Sequence, residues 1–159
     1  LKASTSKLIS NDAIDLSLLI TDNFNMDTLT APMEMFARAD LLRYRNRLDD
    51  ALSTLDSLVT AHPMHTLEDE IILIRAEIAL QRGNFDDAIK HYEEILELHF
   101  MDILADDALF GLADLHENQL GAPDVAQGLY ERLLNEFPGS LYAVEARKRF
   151  RSLRGDVLE

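Results

Sequence analysis

Small side chains recur along this chain at a fixed interval, and that interval constrains the fold more than any other feature. Ala39, Ala76 and Ala113 stand 37 residues apart, and Ala51, Ala88 and Ala126 form a second series at 37 and then 38. A period in this range is what stacked helix pairs look like in sequence. At each rung one helix approaches its neighbour closely, and a methyl side chain permits the approach.

The residues around the rungs have helical spacing. Leu48, Ala51, Leu52, Leu55, Leu58 and Val59 make an i, i+3, i+4, i+7 stripe, the pattern of an amphipathic helix. Phe85, Ala88, Ile89, Tyr92, Ile95 and Leu96 repeat it 37 residues later, and Pro123, Ala126, Tyr130, Leu133 and Leu134 repeat most of it after 38 more. These are the second helices of three pairs. Asn46, Gly83 and Gly121 precede them, and each tolerates the left-handed backbone that lets a chain reverse between helices. Asp49–Asp50, Asp86–Asp87 and Asp124 follow in the first turns, where carboxylates favour the helix dipole. Pro123 suits an opening turn because its missing N–H would have had no intrahelical partner.

The first helices are predicted over 30–45, 67–82 and 104–120, with Thr30 as N-cap and Pro32 in the opening turn of the first. Pro63 and Pro138 lie twelve residues after Ala51 and Ala126 and end two of the second helices. The equivalent place in the middle repeat holds Phe100, a weaker stop. Flanking helices are expected over 10–22, with Ile14, Leu18 and Leu19 on one face, and from Ser140 to Leu153. The predicted fold is therefore all-α: a right-handed superhelical stack of antiparallel helix pairs with seven or eight helices. Its parts are a flanking helix in 1–29, repeats at 30–66, 67–103 and 104–139, and a capping helix in 140–159, read as one domain.

Composition narrows the functional classes. With 159 residues and 47% apolar side chains, the chain can bury a core without staples. Cysteine is absent, which removes disulfide frameworks, thiol catalysis and Cys-based zinc sites. No apolar run approaches the roughly 18 residues of a membrane span, and the charges in residues 1–20 are unlike a signal peptide. A start at Leu1 reads as a processed product or an excised piece of a longer protein. The formal charge of −14 disfavours nucleic acid and anionic membrane as partners. That charge is uneven: 14 acidic residues between Met64 and Glu117 face only Arg75, Arg82 and Lys90, whereas the last helix carries Arg147, Lys148, Arg149, Arg151 and Arg154. A basic end beside an acidic body predicts docking of one on the other and self-association through the basic C-terminal helix.

Catalytic signals are missing. There is no Gly-rich phosphate loop, no G-x-S-x-G, no HExxH and no dinucleotide fingerprint. The acidic pairs Asp86–Asp87, Glu93–Glu94 and Asp106–Asp107 fall at helical spacing and read as exposed faces. His62, His65 and Glu68 have a spacing that could hold zinc or nickel on a helix, but Pro63 interrupts it. His91, His99 and His116 read as surface or packing residues. The chain is accordingly read as no enzyme, with no cofactor and no metal.

The three segments resemble the tetratricopeptide repeat over about residues 30–139. The middle copy carries Ala76, Gly83, Phe85, Ala88, Tyr92 and Ile95, the first Ala39, Leu42, Ala51, Leu55, Leu58 and Pro63, and the third Gly111, Leu112, Ala113, Gly121, Ala126, Tyr130, Leu133 and Pro138. The third holds one extra residue in its first helix, and all three are longer than the common repeat. The stretch from Phe137 to Tyr142 running into Ala146–Arg149 resembles the closing repeat of bacterial cell-envelope members, the TolA-binding-type periplasmic proteins and outer-membrane assembly lipoproteins, which implies an envelope location.

The resemblance implies a non-enzymatic scaffold that binds a peptide or partner protein along the concave side lined by the first helices. The residues expected there are Phe36, Asp40, Tyr44, Leu73, Glu77, Gln81, Phe110, Asp114 and Glu117. Phe36, Leu73 and Phe110 share the 37-residue phase and serve equally well as core. Asp40, Glu77 and Asp114 also stand 37 apart and predict a carboxylate ladder that attracts Lys or Arg, so the partner is read as basic. Two alternatives stay open: capture of a glycan or small ligand, for which Tyr44 and Tyr142 remain outside the core stripe, and a structural terminal block of a longer array.

Overall fold

A computed structural model describes residues 30–156. They form seven helices: α1 Thr30–Tyr44, α2 Leu48–Ala61, α3 Glu68–Gln81, α4 Phe85–Leu98, α5 Ala105–Asn118, α6 Pro123–Glu136 and α7 Ala143–Arg154. Among the described residues there is no strand. The predicted helix at 10–22 lies outside them. Thr30, expected as an N-cap, is already helical, while Pro32 sits buried in the opening turn.

The turns inside the pairs are set by single residues with positive φ: Asn46 at 57°, Gly83 at 74° and Gly121 at 60°. At Asn46 the N–H bonds Arg43 O at 2.9 Å and the next N–H reaches Leu42 O at 2.9 Å. At Gly83 the same two bonds run to Leu80 O and Ala79 O at 2.9 and 2.8 Å. Both are Schellman ends, in which otherwise orphaned helix carbonyls are satisfied by the reversing chain. The third turn is wider, with Leu120 N–H on Leu115 O and Ala122 N–H on His116 O. One extra residue between Ala113 and Gly121 is absorbed there, which explains the change of period from 37 to 38.

Each second helix then starts the same way. The amides of Ala51, Ala88 and Ala126 donate to the carbonyls of Arg47, Asn84 and Ala122 at 3.0–3.1 Å. No side chain caps these starts; the first-turn aspartates serve the dipole instead. The junctions between pairs are alike as well. His62, His99 and Phe137 close the second helices, and their carbonyls accept from His65, Asp102 and Ser140. Phe100 thus makes the same junction as Pro63 and Pro138, because the backbone turn recurs whichever residue follows the cap.

The described residues divide into two compact units, 30–68 and 69–156. In the first, α1 packs on α2, with Phe36, Ala39 and Leu42 of one and Ala51, Leu55 and Leu58 of the other buried. The second unit holds one continuous core through α3 to α7, built on Ile72, Ala76, Tyr92, Ile95, Leu109, Ala113, Ala126, Tyr130, Leu133 and Ala146. All six alanines of the two ladders are fully buried. A larger side chain at any of them would force the helices apart or strain the contact, at a cost of about 1–3 kcal/mol.

Candidate partner-binding face

On α5 the spacing of Asp107, Phe110, Asp114 and Glu117 places them along one stripe. The closing helix and the turn before it bring Tyr142 and Arg149 onto that stripe. The Tyr142 hydroxyl donates to Asp107 Oδ1 at 2.6 Å, and its ring stacks on Phe110 with centroids 4.5 Å apart. Arg149 Nη1 donates to Asp114 Oδ1 at 2.5 Å, Glu117 Oε2 at 3.1 Å and the Tyr130 hydroxyl at 3.2 Å, while Nε donates to Glu145 at 3.1 Å. Its guanidinium also lies 5.6 Å from the Phe110 ring centre, within cation–π reach. A planar cation held by carboxylates over an aromatic ring is what arginine's fork favours. Burial works against its charge, yet the acceptors around it hold the guanidinium above even its usual high pKa.

Register explains why Arg149 lands there. Helix α7 superposes on α5 at an offset of 38, since Ala105 and Ala143 begin them and Ala108 and Ala146 are their buried alanines. Arg149 therefore takes the place of Gly111, and Tyr130 the place of Tyr92. At Gly111 a Cβ would lie 2.7 Å from Tyr92 Cζ and 2.8 Å from its hydroxyl. Glycine thus gives its space to the tyrosine ring. Burial raises the Tyr92 hydroxyl well above the usual phenol value, and the charges of Glu77, Asp114 and Asp107 add to the rise.

The nine predicted contact residues separate into three groups. Phe36 is buried and Leu73 and Phe110 pack against the core of their unit, so this phase serves packing. Asp114 and Glu117 are engaged by Arg149, and Asp114 also accepts from Asn118 at 2.8 Å. The other four carry less. Asp40 pairs with Arg43 at 2.7 Å and is 46% exposed at the side chain; Tyr44 is 85% exposed and Gln81 is exposed; the charge of Glu77 acts on the Tyr92 hydroxyl. In unit one, Asp40 and Tyr44 stand one turn apart on α1. In unit two, Glu77 and Gln81 do so on α3. Tyr142 corrects an expectation: it is tied to Asp107 and Phe110 and is not available as a sugar platform. Arg149, the residue that organises the stripe, is found only by superposing α7 on α5.

Among the described residues no group of three or more His, Cys, Asp or Glu could hold a metal ion. The Nδ1 of His65 accepts the Leu67 N–H at 3.0 Å, so it serves the turn between pairs. No helix among the described residues is long and apolar enough to cross a membrane.

Comparisons with known proteins agree with this architecture. Residues 73–140 match the family model described as tetratricopeptide repeat. No curated protein matches the chain. Among solved structures it is similar to a tetratricopeptide repeat protein from Parabacteroides merdae ATCC 43184, with a TM-score of 0.59 at 17% identity, over 97% of this chain and 58% of that one. The chain thus spans 58% of the length of that protein. An α3–α6 segment that matches the tetratricopeptide repeat, in a chain that follows a tetratricopeptide-repeat structure nearly end to end, gives this protein an all-α tetratricopeptide-repeat fold.

Proposed function

We propose that this chain is a non-enzymatic protein-interaction module whose first-helix faces take a basic segment of a partner protein, and that it works at a bacterial cell envelope. The observation that carries the reading is the seat of Arg149. A guanidinium held by Asp114 and Glu117 over Phe110 is the interaction a basic peptide would make, formed here within the chain. Asp40 on α1 and Glu77 on α3 occupy the register of Asp114, and the formal charge of −14 adds long-range attraction for cationic ligands.

The test is calorimetric titration of a Lys/Arg-rich peptide into the chain at several salt concentrations. The variant is Asp40→Lys combined with Glu77→Lys; Asp114 is left intact because it anchors α7. Binding should weaken about tenfold or more and become less salt-dependent. Affinity unchanged by the double reversal would remove the reading. An envelope location is checked by fractionating cells that express the parent protein.

A further inference from the structure

The two junction turns of the second unit lie side by side. The rings of Phe100 and Phe137 are 5.3 Å apart, and Tyr142 just beyond one turn bonds Asp107 just beyond the other at 2.6 Å. Their shared edge is unusually apolar. Among the described residues of this unit seven large hydrophobic side chains are exposed, and five of them belong to this edge: Leu98 at 68%, Met101 at 90%, Ile103 at 40%, Leu141 at 65% and Val144 at 76%. Scattered singly, such residues need no explanation, but a contiguous patch rimmed by polar groups marks an interaction surface.

The rim says what the patch fits. On the side of α4, exposed Glu97 and Asp102 flank Met101. On the side of α7, exposed Arg147, Lys148 and Arg151 flank Val144. Of these cations, Lys148 is only 3.8 Å from Glu145, on its own helix. The edge thus carries an acidic half and a basic half about an apolar middle. Such a surface is complementary to itself when turned through a half rotation, the condition for an isologous contact. A membrane or an acidic peptide would match the basic half only and would leave the acidic half opposed to like charge.

We infer that this edge of the second unit is the interface of a two-fold homodimer, in which Leu141, Val144 and the basic face of α7 meet Met101 and the acidic turn after α4 of a second copy. This contact is built at the junction turns and uses neither of the residues proposed to bind a partner, Asp40 and Glu77, so each can fail without the other.

Sedimentation of the 159-residue chain from low to high micromolar concentration tests it. A dimer mass is expected, and Met101→Glu or Val144→Glu should weaken the dimer about tenfold or more. Both side chains are exposed, so thermal unfolding of the monomer should not move. Glu97→Lys and Lys148→Glu should each weaken the dimer, and the two together should restore it, because the half rotation brings the reversed charges face to face. A monomer at every concentration overturns the inference, as does a dimer indifferent to both apolar substitutions or a charge swap that fails to rescue. Monomers that bind anionic phospholipid vesicles through Val144 would reassign the edge to a membrane surface.

Discussion

Tyr92 and Tyr130 occupy the same place in successive repeats, yet the next helix treats them in opposite ways. Beyond Tyr92 stands Gly111, whose missing side chain lets the ring press against the α5 backbone, with the charges of Glu77, Asp114 and Asp107 acting on its hydroxyl. Beyond Tyr130 stands Arg149, which donates to the tyrosine and to two carboxylates. One position, glycine in one copy and arginine in the next, decides how the stripe is used. In the middle repeat the charges of the acids act on a phenol; at the end of the unit they bind a cation and hold the last helix down. The repeat is therefore a frame in which one residue, glycine or arginine, decides whether the acidic stripe acts on a phenol or staples the terminus.

The largest effect should come from refilling the space that Gly111 leaves. Alanine is normally the better helix former, by about 1 kcal/mol. At Gly111, however, its Cβ would sit 2.7 Å from the buried Tyr92 ring, and overpacking of that kind costs about 1–3 kcal/mol. Gly128 in α6 is the control, since nothing lies within 4 Å of its Cβ position. In urea unfolding Gly111→Ala should be less stable than Gly128→Ala by about 1–3 kcal/mol, with Gly128→Ala itself stabilised by up to about 1 kcal/mol. Equal responses at the two glycines would break the comparison.

Removing the staple should have the next largest effect. Arg149 is about one quarter exposed, and its partners are 21–41% exposed, so the contact is neither a free surface pair nor a buried one. Arg149→Ala should cost about 1–2 kcal/mol, between the values for exposed ion pairs and for charged hydrogen bonds. Arg149→Met keeps the stem over Phe110 and isolates the polar share. Amide exchange should accelerate first in α7, which then has fewer ties than the rest of its unit. Exchange unchanged in α7 would show that its alanine seam alone holds it.

What the sequence disclosed depended on range. The reversals at Asn46, Gly83 and Gly121 were legible because a positive φ is a local demand that few residues meet. The alanine ladders were legible because close helix approach recurs at a fixed interval. The contacts of Arg149 were not, since its partners lie 35 and 32 residues away and only the register of α7 on α5 selects it from five basic residues. Tyr142 was misplaced for the same reason: its place outside the core stripe of its own helix says nothing of Asp107, 35 residues back. Asp40 and Glu77 share the register of Asp114, and their double reversal is what tests them as contacts for a basic ligand.

The smallest effect separates the two tyrosines most cleanly. Both hydroxyls are held above the ordinary phenol value, Tyr92 by burial and then by Glu77, Asp114 and Asp107, and Tyr130 by burial and then by its bond to Glu117. An unfolded tyrosine ionises near about pH 10. With the folded values raised, their contribution to stability is complete below that pH. It is lost as the pH climbs further, because the unfolded chain releases protons that the folded chain keeps. The unfolding free energy should therefore be flat up to mildly alkaline pH and then fall, less steeply in Tyr92→Phe or Tyr130→Phe. Arg149 acts on one tyrosine in the opposite direction, pulling Tyr130 down through its hydrogen bond and its charge. In Arg149→Ala the Tyr130 phenol should consequently titrate later by absorbance, and its share of the alkaline loss of stability should continue to higher pH. If removing the guanidinium left the Tyr130 titration unchanged, the cation would not govern Tyr130, and the contrast between the two repeats would reduce to the volume of one side chain.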